Sequence, residues 1–158
     1  EAVLDLADLL RSALTDRMSV SLAEELELTR RYLAIERLRM GERLSVDWQL
    51  AENLPLDSLL PPLVLQPLVE NALHHGIATR AGPGRVEISA CRHGDFLRLS
   101  VADDGRGLPQ DTTERVGLAN TRARLQLLHA NRQRFEVRNS DDGGVVAEIE
   151  LPWRTRVC

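Results

Sequence analysis

The hydrophobic period changes at Gly41, and that change confines the chain to a fold combining a helical segment with a sheet. Before Gly41, apolar residues recur three and four apart. Val3, Leu6, Leu10 and Ala13 form one stripe, widened by Leu9 and Leu14. Asp16 to Val20 interrupts it. Ser21 and Glu24 then make an S-x-x-E capping box, in which each side chain bonds the other's free backbone amide. The helix that follows carries Leu22, Leu26, Leu33 and Met40 on one stripe and Leu28, Tyr32, Ile35 and Leu38 on a second. A helix apolar on two sides is expected to be covered on two sides, in a helical bundle and against the next domain or a second subunit.

Beyond Gly41 the period falls to two. Leu44, Val46 and Trp48 alternate with polar residues, as do Val86, Ile88 and Ala90, then Leu97, Leu99 and Val101, with a hairpin turn at His93-Gly94-Asp95. A helix is expected from about Pro62 to His75, bent at Pro67 and closed by Gly76. Asp103 to Val116 reads as a long surface loop, and long loops within compact domains are often functional. A helix from Gly117 to about Ala130 and two strands, around Phe135 and Val137 and around Ala147, Ile149 and Leu151, complete the order, with Gly143-Gly144 in the last turn. Two helices followed by β-α-β-β-loop-α-β-β suit an antiparallel or mixed sheet with helices on one face, an α+β fold.

Composition removes several function classes. The net charge is −4 over 158 residues, which argues against a broad basic nucleic-acid footprint, so no direct nucleic-acid binding is expected. All 20 basic residues are Arg, so a P-loop, which needs its Lys, is excluded. Phosphate contacts must come from Arg, His, hydroxyls or backbone amides. Cys91 and Cys158 make no disulfide framework and no zinc spacing, which points to a reducing compartment. No apolar run reaches the roughly 18 residues of a membrane span. The chain opens at Glu1 inside a helical pattern, so it is expected to be a piece of a longer protein.

Three segments carry chemistry. In the first, Leu65 to Gly76, Asn71, His74 and His75 share a helical face. The Asn oxygen is a hard neutral ligand, suited to a Mg²⁺ that keeps its waters and bridges phosphates. Taken alone, the segment fits an ordinary polar face with incidental histidines better. In the second, Val101 to Pro109, Asp103-Asp104-Gly105-Arg106-Gly107 is a D-x-G-x-G at a strand end. Asp103 there can accept a hydrogen bond from an exocyclic amine, and the glycines allow close backbone approach. The same residues also make a plain turn. In the third, Gly117 opens a helix whose free amides and dipole favour phosphate, with Arg122 and Arg124 nearby.

In order and spacing these segments resemble the N, G1 and G2 boxes of the GHKL ATPase superfamily, shared by histidine kinases, gyrase-type ATPases and the chaperone Hsp90. The chain is most similar to the LytS/YehU-type (AlgZ-like) sensor histidine kinases, through Gln66-Pro67-Leu68-Val69-Glu70-Asn71 and a matching helical start: Asp8-Leu9-Leu10-Arg11, Leu22-Ala23-Glu24-Glu25-Leu26-Glu27 and Tyr32-Leu33-Ala34-Ile35-Glu36. The resemblance implies the two-layer α/β sandwich of the Bergerat ATP-binding fold over residues 42–158. Residues 1–41 would be the end of the dimerisation and phosphotransfer helices. It implies ATP and Mg²⁺ as cofactors. Asn71 would hold the metal, and Glu70 would help polarise the attacking group. His74 and His75 would lie near the phosphates. Asp103 would read adenine, with Gly105, Gly107 and Leu108 lining the nucleotide site. Gly117, Leu118 and Arg122 would sit on the phosphate side. The loop from Gly105 to Val116 would be a lid that orders on nucleotide binding.

Two positions depart from the family pattern. Arg115 replaces the glycine that usually opens the G2 box, and His74 replaces a common Lys. The family's phosphorylated His lies in a His-Phe-x-Phe-Asn motif, and none of His74, His75, His93 or His129 has that context. The resemblance further implies a homodimer formed through an upstream helix, and a response regulator that receives the phosphate, often one with a LytTR-type DNA-binding domain. It implies a cytoplasmic domain of a bacterial inner-membrane protein. The alternative is a degenerate nucleotide-binding scaffold that signals by conformation, which Arg115 keeps open. A gyrase-type ATPase is disfavoured because its acidic base would fall at Pro67. The LytS-like start disfavours an anti-sigma-factor serine kinase.

Overall fold

A computed structural model describes residues 19–77, 82–108, 116–129, 132–141 and 143–153. The expected first helix around Val3 to Leu14, Arg115 with most of the lid, and Cys158 lie outside the described residues.

A short strand β1 (Val20–Ser21) pairs antiparallel with β3 (Leu59–Leu60), matching Val20 to Leu60. Helix α1 (Leu22–Met40) starts at the expected capping box: Glu24 N donates to Ser21 Oγ at 3.1 Å, and Ser21 N donates to Glu24 Oε1 at 3.2 Å. Gly41 ends the helix at φ +65°, a left-handed conformation that costs glycine little. The main sheet comprises β2 (Leu44–Leu50), β4 (Gly84–His93), β5 (Phe96–Asp103), β6 (Arg134–Asn139) and β7 (Val145–Pro152), in the order β2-β4-β5-β7-β6. Only the β2–β4 pair in it is parallel, so the sheet is mixed. The β4–β5 hairpin turns on Gly94-Asp95, with Gly94 at φ +62°.

One face of each central strand is apolar and buried: Val86, Ile88 and Ala90 on β4, Leu97, Leu99 and Val101 on β5, Ala147, Ile149 and Leu151 on β7. They share one continuous core with Leu68, Val69 and Leu73 of the next helical segment and with Leu118 and Leu125 of the helix α3 (Val116–His129). The opposite face carries ion pairs such as Arg98–Glu150 and Arg85–Asp47. Helices therefore cover one side of the sheet, and the α+β two-layer sandwich expected from the element order is what the chain forms.

One expectation needs correcting. The helix placed at Pro62 to His75 begins four residues later. Helix α2 spans Gln66–Asn71 and continues as a π-helical turn, Ala72–Ile77, that runs through Gly76. The cause lies at Leu63, whose φ of +58° breaks the right-handed path, so the amides that follow are satisfied by another helix. Pro67 falls in the first turn of α2, where its missing N–H leaves nothing unpaired.

Within this chain α1 buries one face. Leu22, Leu26, Leu33 and Met40 go inward as expected, and Tyr32 joins them with Glu25, Thr29 and Glu36. Leu28 is half-buried, whereas Ile35 and Leu38 are 41 % and 86 % exposed.

Candidate nucleotide-binding site

The three sequence segments converge around α2. The π-helical turn after Asn71 lies against β5, whose last residue is Asp103, and α3 packs against α2 itself. Chain topology thus links the N-box to the strand that ends in the D-x-G-x-G and to the glycine-led helix.

Asn71 closes α2 with its Oδ1 buried and unpartnered among the described residues. A buried amide oxygen without a donor is costly, so this atom is suited to an electropositive ligand. Preceding it, Glu70 is half-buried and accepts a long hydrogen bond (3.5 Å) from Gln66 Nε2, one turn earlier. His74 sits one turn after Asn71. Its Nε2 lies 3.2 Å from the hydroxyl of Tyr32 on α1, so this ring is tied to the neighbouring helix. His75 is in the π-helical turn, with its side chain outside the described set.

Asp103 ends β5 and is 7 % exposed. Its Oδ1 accepts from Gly105 N at 2.8 Å, which folds the loop back over the strand end. Asp104 fixes the same corner to β4: its Oδ1 accepts from Arg85 N at 2.8 Å, and its N–H donates to Arg85 O. Gly107, at φ +85°, and Leu108 are held from β6, where Asn139 Oδ1 accepts from Leu108 N at 2.6 Å. A β-carbon on Gly144 would stand 1.9 Å from the Asp103 carbonyl oxygen, so the β6–β7 turn presses directly on the strand end. Neither Asn139 nor Gly144 was singled out for the site from sequence. The Gly143-Gly144 pair signalled a turn, and nothing local reported what the turn touches.

On the remaining side, Gly117 lies in the first turn of α3. Leu118 places its side chain in the core, so its backbone amide is what it can offer to an anion. Arg122 reaches β6: its Nη1 donates to Phe135 O at 2.8 Å, and its guanidinium stacks over the Phe135 ring at 4.6 Å. Arg124 turns the other way and donates to the carbonyl of Pro62. There it approaches Glu25 of α1, whose carboxylate accepts from Leu63 N (3.1 Å) and Leu65 N (2.8 Å). Burial pushes the Glu25 pKa up, while those amides and Arg124 oppose the rise. The same burial pulls Arg124 down, with Glu25 opposing. Sequence reasoning did not select Glu25, because a glutamate on a charged helix carries no sign of being inside.

A family model described as histidine kinase-, DNA gyrase B-, and HSP90-like ATPase matches residues 57–155, and a histidine kinase model matches residues 1–44. The chain belongs to this ATPase family. Within it, the chain is similar to the LytS and YpdA sensor kinases. It is 33 % identical over 155 residues to the sensor histidine kinase YpdA of Escherichia coli (strain K12), covering 92 % of this chain and 27 % of that protein. It is 26 % identical over 150 residues to the sensor protein LytS of Staphylococcus epidermidis, covering 87 % of this chain and 25 % of the relative. The chain thus spans about a quarter of the length of these curated relatives. Among solved structures, the histidine kinase domain of the Erythrobacter litoralis EL346 blue-light activated histidine kinase superposes with a TM-score of 0.62 at 25 % identity, over 84 % of this chain and 61 % of that one. Fold and family therefore agree with the expectation drawn from the N, G1 and G2 boxes.

Proposed function

We propose that this chain is the nucleotide-binding part of a two-component sensor histidine kinase, with residues 1–41 closing its helical region and 42–158 forming the ATP domain. The observation that carries this reading is the orphaned Oδ1 of Asn71, directly before the π-helical turn that packs on the strand ending in Asp103. The donor set fits Mg²⁺: one neutral hard oxygen leaves the remaining coordination to water and to phosphate. Bound there, Mg²⁺ would neutralise the charge of a triphosphate. Asn71 holds the ion. Asp103 accepts from the adenine amine, with one carboxylate oxygen already oriented by Gly105 N. Gly105, Gly107 and Leu108 let the backbone approach the base. The opening amides of α3 around Gly117 and Leu118 face the phosphates. Glu70, oriented by Gln66, polarises the attacking group. Arg122 serves the phosphate side only by leaving Phe135.

The γ-phosphate goes to a histidine of the intact protein in a His-Phe-x-Phe-Asn context, and then to a response regulator, of LytTR type by resemblance. The intact protein is a membrane-anchored homodimer with this domain in the cytoplasm. Calorimetry tests the reading. ATP with Mg²⁺ should bind with Kd between about micromolar and sub-millimolar, or about −5 to −8 kcal/mol. Asn71→Ala should lose the gain from Mg²⁺, and Asp103→Ala should lose the preference for adenine. No binding by the folded, unmutated chain overturns the reading in favour of a scaffold.

A further inference from the structure

Helix α1 meets the helical segment around Asn71 at two places through polar contacts, one buried and one half-buried. At the start of α2, Glu25 accepts the Leu63 and Leu65 amides, which the left-handed Leu63 leaves without helical partners. Just past its end, Tyr32 meets His74 one turn beyond Asn71. Glu25 and Tyr32 are each 1 % exposed. The first contact also takes in α3, because Arg124 bonds the Pro62 carbonyl of the same turn and faces the Glu25 charge. Three elements therefore meet at one carboxylate: the helix that arrives from the N-terminal side, the helix that carries Glu70 and Asn71, and the helix that opens at Gly117.

We propose that Glu25 is a positioning residue for the nucleotide site, through which the placement of α1 sets the placement of Asn71 and of the α3 N-terminus together. The proposal rests on the nucleotide-binding reading above. Its physical basis is the short reach of hydrogen bonds. An apolar interface tolerates sliding by a fraction of an ångström, whereas two charge-assisted bonds, to the amides of Leu63 and Leu65, hold α2 at a fixed height on α1. A rotation or shift of α1 either carries α2 with it or breaks those bonds and leaves a carboxylate buried and unpaired, which is strongly disfavoured. Two outcomes separated by such a cost make a two-state joint, the kind of element through which distant sites couple.

The test uses the whole chain and three probes: adenosine without metal, ATP without metal, and ATP with Mg²⁺. Adenosine reports the Asp103 side; the gain on adding Mg²⁺ to ATP reports Asn71. Glu25→Gln keeps the shape of the side chain but can accept from fewer donors. Arg124→Gln loosens the same joint from its half-buried side and carries the test if Glu25→Gln does not fold. In each variant the gain from Mg²⁺ should fall about tenfold, with adenosine affinity within about twofold of the unmutated chain. The double variant should lose no more than the stronger single one, as expected of groups acting as a unit. Amide exchange should quicken in 66–77 and 116–129 and stay slow in β5.

A merely structural role gives a different result: adenosine and Mg²⁺-ATP weaken together and exchange quickens throughout the sheet. That result overturns the proposal, as does an unchanged gain from Mg²⁺ in both folded variants. Neither touches the nucleotide reading, which fails only if the unmutated chain binds none of the probes; this role for Glu25 then falls with it.

Discussion

Gly144 shows how a single position far along the chain governs a site residue. Its backbone has φ +80°, and any β-carbon there would collide with the Asp103 carbonyl oxygen at 1.9 Å and with the Asp104 α-carbon at 2.9 Å. Both neighbours are backbone and cannot swing aside. Gly144→Ala should therefore cost about 2–3 kcal/mol, from left-handed strain together with the steric push. Urea unfolding would measure this. Because the push falls on the strand end that carries Asp103, adenosine affinity should drop more than the gain from Mg²⁺ at Asn71. A drop confined to the Mg²⁺ gain would mean that the turn does not set Asp103. The residues proposed to do chemistry, Asn71 and Asp103, were legible from type and setting: an amide on a half-apolar helix face, a carboxylate at a strand end among glycines. The residues that hold them were not. Asn139 and Gly144 reach the site through a hairpin 30 or more positions away, and no local pattern encodes a contact of that range.

Among the elements, α1 was the easiest to place and the hardest to orient. Its bounds followed from Ser21, Glu24 and Gly41, whose capping roles are local chemistry. Its buried face did not follow from apolar spacing, because the inward arc includes Glu25, Thr29 and Glu36, which read as solvent-facing. Only the packing partners decide this, here the amides around Leu63 that lack helical partners. The left-handed Leu63 also delays the start of the expected helix by four residues, and the π-helical turn had no counterpart in the periodicity. The α1–α2 joint leaves a measurable trace in pH dependence. Glu25 has a folded pKa raised by burial, so the folded chain binds a proton more tightly than the unfolded one. The stabilisation from that proton is fully present below the ordinary glutamate range and is lost as pH rises through the raised value. In urea titrations between about pH 4 and about pH 8, the unmutated chain should lose stability relative to Glu25→Gln as pH rises. Parallel curves for the two would show that the carboxylate carries no proton linkage to folding.

For the molecule as a whole, the question is whether the sequence division near residue 41 is also a physical one. The two family models meet near it, one covering residues 1–44 and the other 57–155. The packing ignores it: Leu22, Leu26, Tyr32, Leu33 and Met40 of α1 belong to the same core as Ile88, Leu99 and Ile149 of the sheet. Shared burial makes the two segments unfold together, since exposing either one strips apolar cover from the other. Two tryptophans report from separate parts of this arrangement. Trp48 on β2 lies under the Arg30 guanidinium of α1 at 4.4 Å, and Trp153 follows β7, with Arg92 over its ring at 4.4 Å. In the variants Trp48→Phe and Trp153→Phe, fluorescence should therefore give the same urea midpoint as helical circular dichroism recorded on the same sample. A lower midpoint for Trp48 alone would mean that α1 detaches first, and that the line near residue 41 divides the fold as well as the sequence. Coincident midpoints would mean that α1 is one wall of the ATP domain, so that any motion delivered along it reaches the sheet and the nucleotide end without crossing a flexible linker.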